Sequence, residues 1–243
     1  MNSFNKLKTA FAGTALGAMP HASTLDRLVV GSSQLMRGKI WLEKLLGVAL
    51  TQYYCCDALG THGYQLQLSN NCAVELIAIN PDAKPAQHPR PFGLDTSDVA
   101  ERIAIRPRLI GWVARTEALD KLHAATGEIL GAICNIDTVD ARNFLVKSRI
   151  TIPNEGYPIE GGLIPHMLEY GTCANMPAAE NNVNNALKFT WMEAAHPNPA
   201  KVQYLLSELG LGDTIVLASA PPYSGMSMCA YIDTPNGTKT LMS

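Results

Sequence analysis

Glu75 is the residue whose surroundings most clearly demand chemistry. It stands in residues 74–79, and the five remaining side chains of this run are all apolar. The run therefore predicts a buried strand. A buried carboxylate needs a metal ion, a cation or a hydrogen-bond network to replace its lost hydration. Glu75 could therefore be a metal ligand or a base, or the ion-pair partner of Arg27. We expect the Arg27 guanidinium to lie within hydrogen-bond reach of Glu75 or of another carboxylate.

Two histidines could take part in proton transfer. His62 opens the strand predicted before Glu75, and near a cleft it could exchange protons close to neutral pH. It could equally be bonded to backbone at a strand edge. His166 stands among apolar residues, which favours a hydrogen-bonded core histidine, although it could also be a ligand.

Trp112 and Arg115 end a predicted strand near the expected mouth of a cleft. Arg115 could hold a carboxylate or phosphate of a substrate, because a guanidinium binds such groups in a bidentate manner. It could instead pair with Glu117 or Asp120. We predict that both Trp112 and Arg115 contribute to substrate binding.

Six cysteines are spread along the chain without a CxxC pair, which favours free thiols in a reducing compartment. Cys55 and Cys56 follow Tyr53 and Tyr54 in what we predict to be a loop before His62, and this loop could roof the cleft. A nucleophilic cysteine needs a base beside it. The sequence shows no such base, so we do not expect thiol catalysis.

The elements that would position these residues form a repeat. Three segments each predict a strand, then a helix, then further strands. The candidate N-caps are 83 and 82 residues apart, and the glycines expected to end the helices are 80 and 83 residues apart: Ser33, Thr116 and Asn198; Gly47, Gly127 and Gly210. Such regular spacing indicates three copies of one unit.

Each helix is followed by strands joined in a hairpin, as at Asn236-Gly237. The unit is therefore βαβββ, at about residues 25–80, 108–171 and 187–243. One helix covers one face of such a small sheet, and the other face needs a partner. The sequence predicts an α+β protein in which such units form a half-open barrel with a central cleft for a ligand.

Several short motifs resemble the glyoxalase-like domain family of the vicinal-oxygen-chelate superfamily, which also holds bleomycin-resistance proteins and dioxygenases. They occur in the order of that family, at residues 25–30, 41–43, 46–48, 60–62, 74–79, 92–95, 161–165 and 196–197. The resemblance runs from about residue 25 to the C-terminus. It implies the fold more specifically than a reaction, because this superfold hosts several chemistries.

The resemblance also implies a divalent Zn, Ni, Mn or Fe ion, held by the first and last strands of paired units. The last-strand positions are Glu75 and His166. The first-strand position of the first unit is Arg27, whose guanidinium cannot be a neutral ligand. His62 could supply a third ligand. We therefore expect no tightly bound metal unless His62, Glu75 and His166 converge on one point.

Three functions follow from the resemblance and these residues. The first is a glyoxalase-type lyase or isomerase acting on a small oxygen-rich molecule, with Glu75 and His62 as catalytic residues and His166 as ligand or acid. The second is a metal-free small-molecule-binding protein whose pocket is lined by Arg27 and Trp112. The third is a non-catalytic subunit of an assembly.

Composition excludes several other classes. The chain has 243 residues, a net charge of −2 and a pI near 6.3, so it lacks the basic surface of a nucleic-acid-binding protein. No stretch approaches the ~20 apolar residues of a membrane span. Residues 1–24 form a basic extension that could direct export or organellar import; otherwise the protein is expected in the cytoplasm. A small-molecule ligand and a homodimer are the expected partners.

Overall fold

The computed structural model describes residues 23–140, 145–171, 183–221 and 224–243, so residues 1–22 of the predicted targeting segment and Cys173 lie outside the described residues. The strands are β1 Thr24–Gly31, β2 Gln52–Cys56, β3 Thr61–Leu68, β4 Ala73–Ile79, β5 Arg108–Arg115, β6 Ala132–Asp140, β7 Leu145–Ile152, β8 His166–Tyr170, β9 Val183–Asn184, β10 Lys188–His196, β11 Val216–Ser219, β12 Ser227–Thr234 and β13 Gly237–Met242. The helices are α1 Leu35–Leu46, α2 Ser97–Ile105, α3 Leu119–Leu130 and α4 Pro199–Glu208. None of the helices in the described ranges is long and apolar enough to cross a membrane.

The first two units share one topology and close on each other. In the first unit the strand order is β1-β4-β3-β2, and in the second it is β5-β8-β7-β6, each with a parallel pair between its first and last strands. Antiparallel pairs β1–β5 and β2–β6 join the units, and eight strands of the described residues thus form a closed barrel. The predicted α+β fold is confirmed, but the barrel is closed rather than half-open.

Alternate side chains of each strand enter different hydrophobic clusters, as the two-residue period of a strand requires. Leu28 and Trp112 pack outside the barrel with leucines of α1 and α3. Val29, Ile77 and Val113 pack inside it. The side of the strand on which a residue stands therefore decides whether it can line the barrel interior.

The third unit has the predicted order of elements but a different sheet. Its strands are arranged β11-β10-β12-β13, so the first strand lies between the second and third strands instead of at an edge. Its buried side chains, including Met192, Ile232 and Leu241, join the outer cluster. The third sheet thus packs on the outside of the barrel and adds no strand to it.

The helix ends follow the predicted signals in part. Asn198 caps α4 by accepting a hydrogen bond from the Lys201 backbone, and Gly47 ends α1 in a left-handed conformation (φ 75°). The N-cap of α1 is Gln34 rather than Ser33. α3 passes the predicted terminator Gly127 and ends at Leu130.

The segment between the first two units closes one end of the barrel. Val99 and Ile103 of α2 join the inner cluster, together with Phe92 of the preceding 3-10 turn. Gly111 on β5 makes room for the Phe92 ring, since a Cβ there would lie 2.9 Å from Phe92 Cδ1. This end of the barrel is therefore filled by the chain itself.

Candidate ligand-binding site

A polar cluster lies at the other end of the barrel, where β1 begins. A β-bulge at the start of β1 lets two consecutive residues, Asp26 and Arg27, reach the same cluster, although strand alternation would separate them. Arg27 Nη1 donates to Asp26 Oδ2 at 2.6 Å, and Arg27 Nε donates to Glu75 Oε2 at 2.5 Å. All three residues are buried. The predicted ion pair between Arg27 and Glu75 is confirmed.

Two tyrosines complete the cluster. The Tyr54 hydroxyl donates to Glu75 Oε1, so both carboxylate oxygens of Glu75 are engaged. The Tyr170 hydroxyl lies 3.2 Å from each Asp26 oxygen and accepts a long bond of 3.4 Å from Arg27. The result is a connected network of two carboxylates, one guanidinium and two phenols.

The ionisation of this network is set by burial and by its one buried cation. Burial alone would lower the pKa of Arg27, but the charges around it, Glu75 foremost, hold that pKa above its usual value. Burial and the adjacent Glu75 raise the pKa of Tyr54. Burial raises the pKa of Tyr170 to about 12. Both phenols are therefore neutral donors at physiological pH.

Gly63 allows Tyr54 to reach Glu75. Tyr54 and Gly63 are directly paired on β2 and β3, so their side-chain positions face the same way. A Cβ on Gly63 would lie 2.6 Å from Tyr54 Cε1 and 2.2 Å from the Leu76 backbone oxygen. The missing side chain is what lets the Tyr54 ring cross β3.

We expect Gly63→Ala to displace Tyr54 and to lower the free energy of unfolding by about 1–3 kcal/mol, the usual cost of overpacking. Urea denaturation would measure the loss, and the Tyr54 ring resonances in an NMR spectrum would report the displacement. Gly237→Ala is the control for volume, since nothing lies within 4 Å of its would-be Cβ, although its φ of 88° adds backbone strain. Unchanged Tyr54 resonances in the Gly63 variant would contradict the prediction.

His166 is a core histidine with both ring nitrogens engaged. Nδ1 lies 2.7 Å from the Thr151 backbone oxygen, to which it must donate, and Nε2 accepts the Phe92 backbone N–H at 3.2 Å. The Phe92 ring packs edge-on against the imidazole. Burial lowers the pKa of His166 to about 4, so the ring is neutral near pH 7. Of the two alternatives for His166, a hydrogen-bonded core histidine or a ligand, the structure shows the first.

His62 does not join Glu75. Gln65, which pairs directly with Glu75, shares its face, whereas His62 is three residues away along β3 and points to the opposite face. There its Nδ1 lies 3.4 Å from the Tyr53 hydroxyl. The convergence of His62, Glu75 and His166 that a metal site would require is therefore not present.

Trp112 and Arg115 were also predicted to contribute to substrate binding, and the structure places them in different environments. Trp112 is fully buried outside the barrel and donates to the Leu163 backbone oxygen at 3.0 Å, so it does not line the interior. Arg115 is part-exposed at the edge of the cluster, 3.0 Å from Thr24 Oγ1 and 3.9 Å from Asp26 Oδ1. The carboxylate nearest to Arg115 is therefore that of Asp26, and not that of Glu117 or Asp120 as the sequence had suggested.

The predicted loop of Tyr53–Cys56 is strand β2, and Cys56 on this strand is buried. Burial raises the pKa of the Cys56 thiol to about 11 and that of Cys72 to about 12. The thiolate is the nucleophilic form. The described cysteines whose pKa values shift are therefore made less reactive.

The residues assigned by the resemblance to a divalent metal do not fit one. A ligand histidine needs a free lone pair, and His166 Nε2 uses its lone pair for Phe92. Both Glu75 oxygens accept hydrogen bonds, and the Arg27 cation lies against one of them. Within the described ranges, no three His, Cys, Asp or Glu side chains are grouped to hold an ion.

Sequence reasoning did not assign Asp26 or Tyr170 to the site and placed Tyr54 in a roof loop. An acidic residue beside a predicted buried arginine was a usable signal for Asp26. The signal was hidden because adjacent strand residues normally face opposite sides, and only the bulge brings both into one cluster. Tyr170 required knowledge that β8 lies beside β5.

Comparisons with known proteins agree with this architecture. A family model described as a glyoxalase-like domain matches residues 25–210. A search of curated proteins gives no match. The fold is similar to that of a hypothetical protein from Staphylococcus aureus, at 9% identity, covering 91% of this chain and 85% of that chain with a TM-score of 0.57.

Two further structures are more distant. A methylmalonyl-CoA epimerase from Mycobacterium tuberculosis is 15% identical, with 65% of this chain and 93% of that chain covered and a TM-score of 0.39. A Mn(II)-bound glyoxalase from Novosphingobium aromaticivorans is 10% identical, with 93% and 83% covered and a TM-score of 0.42.

Proposed function

We propose that this chain, which belongs to the glyoxalase-like domain family, binds a small oxygen-rich molecule at the polar end of its barrel without a metal ion. One observation carries the proposal: Glu75 and His166, which would chelate an ion, are already bonded to other side chains and to backbone. Glu75 is engaged by Arg27 and Tyr54, and His166 by Phe92 and Thr151.

The polar network suits recognition of oxygen-containing groups. Its two phenols and its guanidinium are donors, and its two carboxylates are acceptors. Counting Arg115, the charges of Asp26, Glu75, Arg27 and Arg115 cancel. A neutral ligand could therefore approach this end of the barrel without meeting an uncompensated charge.

A lyase or isomerase of the glyoxalase type is the second candidate. The buried hydrogen bond between Tyr54 and Glu75 favours it, because a carboxylate and a phenol in contact can exchange a proton with a substrate. One of the two Glu75 oxygens already accepts the Arg27 Nε–H, so this carboxylate is less free to contact a substrate proton. We therefore place binding first and proton transfer second.

Adding a divalent ion tests the proposal. A ligand that binds only the folded state at 100 times its Kd stabilises that state by about 2.7 kcal/mol. We expect no such gain when the purified protein is unfolded in urea with and without excess Zn²⁺, Ni²⁺ or Mn²⁺, and we expect less than stoichiometric metal by elemental analysis. Stoichiometric metal, or stabilisation that Glu75→Gln abolishes, would overturn the metal-free proposal.

We also propose that the protein forms a homodimer and that it is located in the cytoplasm. Sedimentation equilibrium would measure the dimer directly. Localising a fluorescent fusion with and without residues 1–22 would test whether this segment directs the protein out of the cytoplasm.

A further inference from the structure

A groove of about 310 Å³ opens in the barrel wall beside the polar cluster. It is lined by Ala49, Thr51, Gln52, Gln65, Leu66, Asn184 and Asn185. We infer that this groove is the binding site for an uncharged, hydroxyl-rich small molecule. The inference rests on the proposed function and names its ligand class.

The groove exists because two strands share one edge of β3. On its other edge β3 pairs with β4 from Thr61 to Gln67. On this edge β2 pairs with β3 as far as Gln65, and β9 pairs with it from Gln67 onward. Leu66 is left between the two partners. The volume of this gap is at the lower end of the range for small-molecule sites, about 300–1,000 Å³.

The groove's lining determines the kind of ligand. All of its polar side chains are neutral, namely one threonine hydroxyl and four carboxamides. In the part of the chain that the structure describes, the Gln52 and Gln65 amides have no hydrogen-bond partner. A carboxamide offers donors and an acceptor, and a hydroxyl both donates and accepts, so the two groups are complementary. A charged ligand would lose hydration in this groove without meeting a counter-ion.

The groove leads to the polar cluster through one row of the sheet. Gln52, Gln65 and Glu75 are direct partners across β2, β3 and β4, so their side chains face the same way. Directly paired residues have Cβ atoms about 4.5–5.5 Å apart. A molecule bound to the two glutamines would therefore lie one strand away from Glu75, on the same face of the sheet.

Binding of glucose and gluconate, followed by NMR chemical shifts of the full-length protein, tests the inference. These probes have similar hydroxyl groups but differ in charge. We expect glucose to shift resonances of the groove, with an affinity independent of salt, and gluconate to bind at least about tenfold more weakly. Gln52→Leu and Gln65→Leu should each weaken glucose binding about threefold to tenfold, the effect of one lost hydrogen bond. Gln87→Leu, an exposed glutamine outside the groove, is the matched control.

Stronger binding of gluconate, no response to glucose, or unchanged glucose affinity in both groove variants would overturn the inference. Backbone spectra of the variants would first establish that they are folded. If glucose binds but only after metal is added, the metal-free proposed function fails while the ligand class stands.

Discussion

Arg27→Met is expected to lower the free energy of unfolding by about 3–5 kcal/mol, the cost of removing one partner from a buried ion pair. Methionine keeps much of the side-chain volume but leaves Glu75 and Asp26 buried without the cation that contacts both. The loss should exceed the energies of the two hydrogen bonds, because two desolvated carboxylates are then left without the Arg27 cation. Urea denaturation at pH 7 would measure it.

A second substitution separates the charge effect from a packing effect. Adding Glu75→Gln to Arg27→Met removes one uncompensated charge and should restore part of the lost stability, giving a coupling energy in a double-mutant cycle. Arg102→Met is the control, since its pair with Asp98 is exposed and should contribute about 0.5 kcal/mol or less. Equal losses for Arg27→Met and Arg102→Met would contradict a buried network at the barrel end.

Periodicity and capping predicted α1, α3 and α4 because both are local signals, whereas α2 was not predicted and a loop was predicted in place of β2. Pro199 removes one of the donors that a first turn leaves unpaired, and Asn198 accepts from the Lys201 N–H, so both residues mark the start of α4. The sequence likewise predicted that strand 74–79 is buried. These features depend on neighbouring residues alone, and the structure confirms them except at Ile79, which is exposed.

The arrangement of the strands could not be predicted in the same way. The third unit repeats the order of elements, yet β10 pairs with β11 and β12 instead of the last strand of its unit. Nothing in the spacing of caps and glycines distinguishes the two sheets, because strand order depends on contacts between distant segments. The same reason explains why closure of the barrel through β2 and β6 was missed.

For the same reason, the sequence predicted one part of the site and not another. Burial of Glu75 forces it to find a cation, so the Arg27 pair followed from the sequence with no knowledge of the fold. Whether His62 could join Glu75 as a third ligand depended on strand register, where an odd number of residues reverses the face. His62 lies on β3 three residues from the direct partner of Glu75, and this offset alone separates the two side chains.

Acidification is expected to destabilise the protein through His166. Its pKa is about 4 in the folded protein and near 6.5 when the chain is unfolded, so the unfolded state binds the proton more tightly. The stability is therefore fully present above pH 6.5 and is lost as the pH falls from 6.5 towards 4. For one such group the loss between pH 7 and pH 5 is about 2 kcal/mol.

His166→Gln isolates this effect from the other titrating groups. The glutamine amide can still donate to Thr151 and accept from Phe92, but it does not titrate. We expect the urea-denaturation stability of the variant to fall by about 2 kcal/mol less than that of the wild type between pH 7 and pH 5. In the wild type, protonation of His166 breaks its hydrogen bond with the Phe92 N–H. This bond holds Phe92, a bulky residue, at φ 62° inside the barrel. Parallel pH dependence in the two proteins would mean that the imidazole is charged in the fold or is open to solvent.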